Sequence, residues 1–186
     1  IFSTTLVHGV LYWCGNSFML LCPKLGLFEE YKIPRTAREI PKQELIMRTF
    51  HEALFGQLVV GPCTLYFIYD FYKYMGMPPM DAPLPSVLQL YVCFLAALVT
   101  NDWGFYWSHR MVHSKAIYKY IHKQHHTYVG TIGFAAEFAN PVEQIVSNQL
   151  PTAGACIFGG VHLAVWLTWL AGNTVRVARY NDLLTN

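Results

Sequence analysis

Long apolar runs constrain the fold of this chain more than any other feature. Charged residues make up only 13% of its 186 residues, whereas they make up about a quarter of a typical soluble domain. The runs cover approximately residues 6–21, 53–69, 87–106 and 142–177. A membrane-spanning helix needs about 20 apolar residues, and the last run is long enough for two short spans. We therefore predict one all-α, polytopic membrane domain over 1–186, with about four to five spans.

Basic residues predict which ends of these spans share one side of the membrane. Six lie in residues 23–48 and four in residues 107–141, whereas the Pro-rich link 76–85 has none. Since cytosolic loops are enriched in Lys and Arg, we expect both basic segments on the cytosolic face. A hairpin that turns at Gly159–Gly160 would return Arg176 to that face, so we predict a hairpin for the last run. The formal net charge of only +2 argues against a nucleic-acid partner.

Five of the eight histidines lie within residues 109–126, next to the third apolar run. One unbroken helix would place the first two nearly opposite the last three, because each residue turns a helix by about 100°. A site shared by all five requires a bend, which we predict near Ser114–Ala116, with a helical segment after it. They form two groups, each of which would lie on one helix face: His109 and His113, then His122, His125 and His126.

This clustering indicates a metal site, because neutral imidazole binds iron, zinc or copper and clustered cationic imidazoles would repel one another. A surface cluster or a pH sensor is the alternative. Asp102 lies on the helix stripe of His109 and His113, where it could accept a hydrogen bond from a ligand imidazole. Its alternative role is to mark the interfacial end of the span. We expect Glu137 and Glu143 on a solvated face, with a role in shaping the site as the alternative.

The remaining histidines and the cysteines are expected to have structural roles. His8 and His51 are isolated near the ends of spans, and His162 falls near the predicted turn on the opposite side from the cluster. The cysteines show no CxxC pattern, so we predict free, buried thiols at Cys14, Cys22, Cys63, Cys93 and Cys156.

Three consecutive motifs, DWGFYWSHRMVH, IHKQHH and GFAAEFANPVEQI, resemble the membrane fatty acid hydroxylase/sterol desaturase superfamily. The similarity is greatest to its sterol methyl oxidase branch. HxxxH followed nine residues later by HxxHH, beside apolar spans, is the specific part of the pattern. Residues 84–145 would form the histidine-box core of such a domain.

The resemblance implies a multi-pass enzyme of the endoplasmic reticulum with a non-haem di-iron centre in histidine boxes on the cytosolic face. Such enzymes use dioxygen to hydroxylate a lipid C–H bond, and the sterol branch oxidises methyl groups on carbon four of a sterol. Their electrons come from NAD(P)H through a reductase and a b-type cytochrome. The alternative substrate is a fatty acyl or sphingolipid chain. The resemblance makes iron ligands and catalytic residues of His109, His113, His122, His125 and His126.

This sequence departs from the family pattern at two points. The family has a third HxxHH box, whereas this chain has no histidine after His162, and Asn140 stands where the sterol branch often has histidine. Two expectations follow for the missing box. Either the C-terminal part of the domain lies outside this chain, or the protein is catalytically inactive and retains two boxes.

Overall fold

Helices form where the apolar runs predict them. In the computed structural model, residues 1–31, 34–130, 132–154 and 162–183 are described, and they contain no strand. The α-helices in these residues are α1 Phe2–Leu21, α2 Gln43–Phe55, α3 Gly61–Tyr74, α4 Val87–Val112, α5 Pro141–Glu143, α6 Leu150–Gly154 and α7 Leu163–Leu183. Helices α5 and α6 are short, and the others have three turns or more.

Three stretches are long and apolar enough to cross a membrane: Phe2–Leu25, Gln43–Tyr74 and Val87–Val112. This confirms the prediction of a helical membrane protein. The described part of the chain contains three such candidates rather than the predicted four to five, and Gly159–Gly160 lie outside it. The helices on either side of those glycines lie next to each other, since Trp169 Nε1 donates to the Thr152 carbonyl at 3.3 Å.

Two π-helical segments interrupt the helices that surround the site. Gly56–Val60 joins α2 to α3, and Gln144–Gln149 joins α5 to α6. A proline is the second residue after each segment, Pro62 after Val60 and Pro151 after Gln149. Because proline has no N–H and clashes with the preceding turn, the hydrogen bonds shift by one residue. The N–H of Gly61, for example, bonds to the Gly56 carbonyl.

Helix α4 carries the first histidine group and ends where a bend was predicted. Ser86 and Gln89 begin it with a capping box, and its last residue is Val112. Residues 114–124 form consecutive turns with helix-type hydrogen bonds, such as His122 N–H to the Tyr118 carbonyl at 3.1 Å. These turns, rather than a regular helix, bring the second histidine group back beside the first.

The chain that follows the histidines is packed inside the bundle. Phe138 is completely buried, and Phe134 is only 2% exposed. The Tyr12 hydroxyl, on α1, donates to the Phe134 carbonyl at 2.7 Å. Tyr128 shares a hydrogen bond with Thr49, on α2. Irregular backbone is tolerated among membrane helices only where protein buries it or water reaches it, so this packing explains how the segment can lie beside α1 and α2.

Candidate metal centre

Four histidines direct their Nε2 atoms at one another just beyond the end of α4. The Nε2 atoms of His109 and His113 are 3.2 Å apart. Those of His113 and His122 are 3.0 Å apart, and those of His122 and His126 are 2.9 Å apart. The bend therefore brings the two histidine groups into contact, and the ligand atoms of His109, His113 and His122 all lie within 4.8 Å of one another.

Hydrogen bonding alone does not account for these contacts. A neutral imidazole Nε2 has either one proton or one lone pair, yet His122 Nε2 faces both His113 and His126. Two nitrogens bound at about 2.0–2.1 Å to one ion lie about 2.9 Å apart at a right angle and about 3.4 Å apart in a tetrahedron. The observed separations of 2.9 to 3.2 Å therefore fit nitrogens that share a metal ion.

The protonation of the cluster also suits a metal. Burial, together with the neighbouring imidazoles, lowers the pKa of His122 to about 3. Burial and His113 lower the pKa of His126 as well. Because a metal binds the neutral imidazole, these histidines are ready to act as ligands near pH 7.

Glu143 fixes the orientation of the most buried histidine. His122 is 0% exposed, Glu143 is 3% exposed, and Glu143 Oε1 lies 2.6 Å from His122 Nδ1. Burial raises the pKa of Glu143 to about 8. A carboxylate that holds Nδ1–H leaves Nε2 free to face a metal, so Glu143 orients His122 instead of competing for the ion.

The structure contradicts the expected solvated face of Glu143 and Glu137 and one of the two roles considered for Asp102. Glu143 and Glu137 do not lie on a solvated face, since Glu143 is buried and the side chain of Glu137 is only 17% exposed. Asp102 does not contact an imidazole, because its Oδ1 lies 2.6 Å from Nη2 of Arg176. A signal for Glu143 was present in the sequence. It is an acid at the edge of an apolar run, where an ionisable group is expensive enough to suggest function.

His125 lies beside the four converging nitrogens without joining them. Its ring centroid is 5.5 Å from that of His122, and burial, with His126 nearby, lowers its pKa. Its Nδ1 is buried and has no hydrogen-bond partner, and the same is true of Glu143 Oε2. Buried polar atoms without partners are rare, so these two atoms leave bonding capacity at the edge of the cluster.

The other singled-out residues lie elsewhere. His162 Nε2 is 3.2 Å from the carbonyl of Ala82, in the link before α4, and His51 is exposed. His8 is not isolated, because its Nε2 lies 3.0 Å from Glu137 Oε1. Asn140 caps α5, and its side chain accepts from the N–H of Val142 at 2.9 Å. The described cysteines, Cys14, Cys22, Cys63 and Cys93, are free thiols as predicted, and Cys156 lies outside the described residues. The predicted burial is wrong for Cys14 and Cys63, which are exposed on helices that are candidate membrane spans.

Comparison with known families gives the same assignment as the histidine motifs. Residues 94–182, from α4 into α7, match the family model described as fatty acid hydroxylase. Residues 94–182 are thus similar to a fatty acid hydroxylase domain. The matched residues include the four histidines whose Nε2 atoms are in contact, together with Glu143.

The similar proteins are named for reactions on sterols or on very-long-chain aldehydes. The chain is 29% identical to a putative methylsterol monooxygenase of Dictyostelium discoideum, over 91% of this chain and 62% of that protein. It is 28% identical to a very-long-chain aldehyde decarbonylase of Oryza sativa subsp. indica, over 90% of this chain and 61% of that protein. It is 27% identical to a C-4 methylsterol oxidase of Candida albicans, over 89% of this chain and 54% of that protein. The chain thus spans less than two thirds of each of these relatives. No solved structure matches it.

Proposed function

We propose that this fatty acid hydroxylase domain belongs to a membrane oxygenase in which histidine-bound, non-haem iron hydroxylates a lipid C–H bond. The observation that carries the proposal is the convergence of four Nε2 atoms within 2.9 to 3.2 Å of their neighbours. Zinc is redox-inert and unsuited to the oxidation reactions for which the methylsterol monooxygenase and oxidase relatives are named, and the family resemblance favours iron over copper.

The histidines of this chain would hold the iron, and the bound iron would supply the activation of dioxygen. His109, His113, His122 and His126 would each offer Nε2, and Glu143 would keep His122 in the required tautomer. The ring of Phe105 stacks on His109 at a centroid distance of 5.2 Å, which limits how that imidazole can turn.

A di-iron centre, as the family resemblance implies, makes a further demand on ligands. The nitrogens of His109, His113 and His122 all lie within 4.8 Å of one another and would suit one ion, with His126 in contact with His122 beside them. His125 is the remaining histidine in the segment, and its unpartnered Nδ1 makes it the candidate ligand for a second. A second iron would need additional nitrogen or oxygen ligands beside His125.

The position of the site suits a lipid substrate. His109 is in the last turn of α4, a candidate membrane span, and His113 caps that helix. Exposed aromatic side chains surround this end of α4, namely Trp103, Phe105, Tyr106 and Trp107. Aromatic residues favour the membrane–water interface, so a substrate could reach the iron without leaving the bilayer.

The preferred substrate is a 4-methyl sterol, oxidised at its C4 methyl group. The support comes from the GFAAEFANPVEQI segment and from two relatives named for methylsterol oxidation. The alternative substrate is a fatty acyl or sphingolipid chain, which the name of the matching family favours.

The cellular setting completes the proposal. We place the protein in the endoplasmic reticulum membrane with the histidines on the cytosolic face. Its electrons would come from NAD(P)H through a reductase and a b-type cytochrome. The basic residues next to the histidines, Arg110, Lys115, Lys119 and Lys123, support the orientation through the positive-inside rule.

Lipid analysis of cells that lack the protein tests this proposal. Accumulation of 4-methyl sterols, reversed by the wild-type gene and not by a His113→Ala, His122→Ala variant, would support the sterol reaction. Loss of 2-hydroxy acyl chains would support the alternative. No change in either lipid class, together with no metal bound to the purified protein, would support the inactive protein that the sequence left open.

A further inference from the structure

A second polar cluster lies outside the histidine site and is centred on Glu137. Its Oε1 lies 3.0 Å from His8 Nε2, on α1. Its Oε2 accepts a hydrogen bond from Gln57 Nε2 at 2.8 Å, on the π-helical segment Gly56–Val60. Trp13 Nε1 donates to Gln57 Oε1 at 2.8 Å, which fixes which way the Gln57 amide points. One carboxylate therefore connects two candidate membrane spans.

The backbone of Glu137 is tied to the site by a different contact. Its carbonyl accepts from Gln144 Nε2 at 2.9 Å. The Gln144 amide also packs directly on Gly56, where an added Cβ would lie 2.6 Å from Gln144 Oε1. The turn between 137 and 144 is thus held at both ends, and Gln144 directly follows Glu143, the partner of His122.

Packing alone does not explain why a carboxylate occupies this position. Glu137 follows a tightly packed apolar stretch, and its partners lie within membrane-spanning helices. Ionisable groups enclosed by apolar membrane helices are costly and are usually retained for function. Side chains that do not touch a metal affect it by orienting those that do, and the contacts of Glu137 lead along the chain to Glu143.

We propose that Glu137 is a positioning residue. Held by His8 and Gln57, it fixes the 137–144 turn and so places the Glu143 carboxylate against His122. The inference rests on the proposed metal site, since it concerns the affinity of that site for its ion. It assigns a role to His8 and Glu137, which the histidine motifs do not include.

Cobalt binding to the full-length protein in detergent tests the proposal, with Co²⁺ as the probe and its visible absorption as the readout. Glu137→Ala should bind Co²⁺ about tenfold more weakly than wild type, because loss of an outer partner of a ligand costs about 10- to 100-fold in affinity. Glu137→Gln should stay within about threefold, since its amide can still accept from Gln57 and donate to neutral His8.

The matched control is Asn16→Ala. Asn16 is a buried polar residue of α1 whose amide donates to the Tyr12 carbonyl of its own helix. Its loss should lower the melting temperature and leave the Co²⁺ affinity unchanged. If Glu137→Ala does not yield folded protein, Gln57→Ala, which removes one of the two contacts to the carboxylate, should show the same loss of affinity.

A double-mutant cycle with Glu143→Gln separates positioning from general destabilisation. If Glu137 acts through Glu143, adding Glu137→Ala to Glu143→Gln should weaken Co²⁺ binding no further. An equal loss in both backgrounds, or wild-type affinity in Glu137→Ala, would overturn the proposal while the metal site stands. Failure of the wild-type protein to bind Co²⁺ or iron would instead contradict the metal site and this inference together.

Discussion

A proton held between Glu143 and His122 couples metal binding to pH. Burial raises the pKa of Glu143 to about 8 and, with the neighbouring imidazoles, lowers that of His122 to about 3. Near pH 7 in the metal-free protein, Glu143 is therefore protonated and His122 is neutral. A metal on His122 Nε2 leaves the ring proton on Nδ1, which donates more strongly to an ionised carboxylate than to a neutral one, so binding favours release of the Glu143 proton.

We predict that apparent metal affinity rises with pH up to about 8 and then levels off, because metal binding releases this proton. Calorimetry in buffers of different ionisation enthalpy should find that, at pH 7, Glu143→Gln releases about one proton fewer per ion than wild type. The two proteins should converge above pH 9. Equal proton release at pH 7 would mean that Glu143 is already ionised.

Individual residues differ in how far the sequence could predict them. The histidines were predictable because their spacings within 109–126 are local. The contact between Glu143 and His122 was not predictable. The two residues are 21 positions apart, and their contact depends on how the intervening chain folds. Asp102 shares a helix stripe with the histidines but accepts a hydrogen bond from Arg176, which is 74 residues further along the sequence.

At the scale of elements, a close approach at Gly130 holds the segment after the histidines against the loop before α2. A Cβ added at Gly130 would lie 2.6 Å from the Glu39 carbonyl oxygen, which is backbone and cannot swing aside. We expect Gly130→Ala to destabilise the protein by about 1–3 kcal/mol, as overpacking does.

Gly15→Ala is the matched control for that prediction. Gly15 is inside α1, and an added Cβ there meets nothing within 4 Å. Because alanine favours a helix by about 1 kcal/mol over glycine, this variant should melt at or above the wild-type temperature. Equal melting temperatures for Gly15→Ala and Gly130→Ala would contradict the close packing at Gly130.

The sequence was sufficient to predict the bend after α4, but not the two π-helical segments. Two histidine groups that would face opposite ways on one helix require a break, and α4 ends at Val112. Pro62 and Pro151 lie in apolar runs and indicate only some local disturbance. Whether a proline produces a kink or a π-helical turn depends on neighbours, such as the Gln144 amide that packs on Gly56.

The whole molecule was predictable as an all-α membrane protein because hydropathy and length act over entire helices. The turn at Gly159–Gly160 stays a prediction. The side-by-side contact of Thr152 with Trp169 depends on packing across the chain, and spacing alone does not reveal it. The predicted core of 84–145 also stays a prediction.

Topology is testable at the same scale by labelling with a membrane-impermeant maleimide in sealed microsomes. Lys115 and Asp81 are both exposed and lie beyond opposite ends of α4. We expect Lys115→Cys to be labelled from the cytosolic side and Asp81→Cys only after permeabilisation. The opposite pattern would place the histidines on the luminal face and contradict the proposed orientation.

The claim on which the molecule's proposed chemistry depends is that the converging histidines hold iron. X-ray absorption at the iron edge, combined with metal analysis of the purified full-length protein, tests it most directly. We predict at least about one iron per chain with nitrogen ligands at about 2.0–2.2 Å, and loss of that iron in His122→Ala. Wild-type protein without a transition metal, or iron content unchanged in His122→Ala, would contradict the claim.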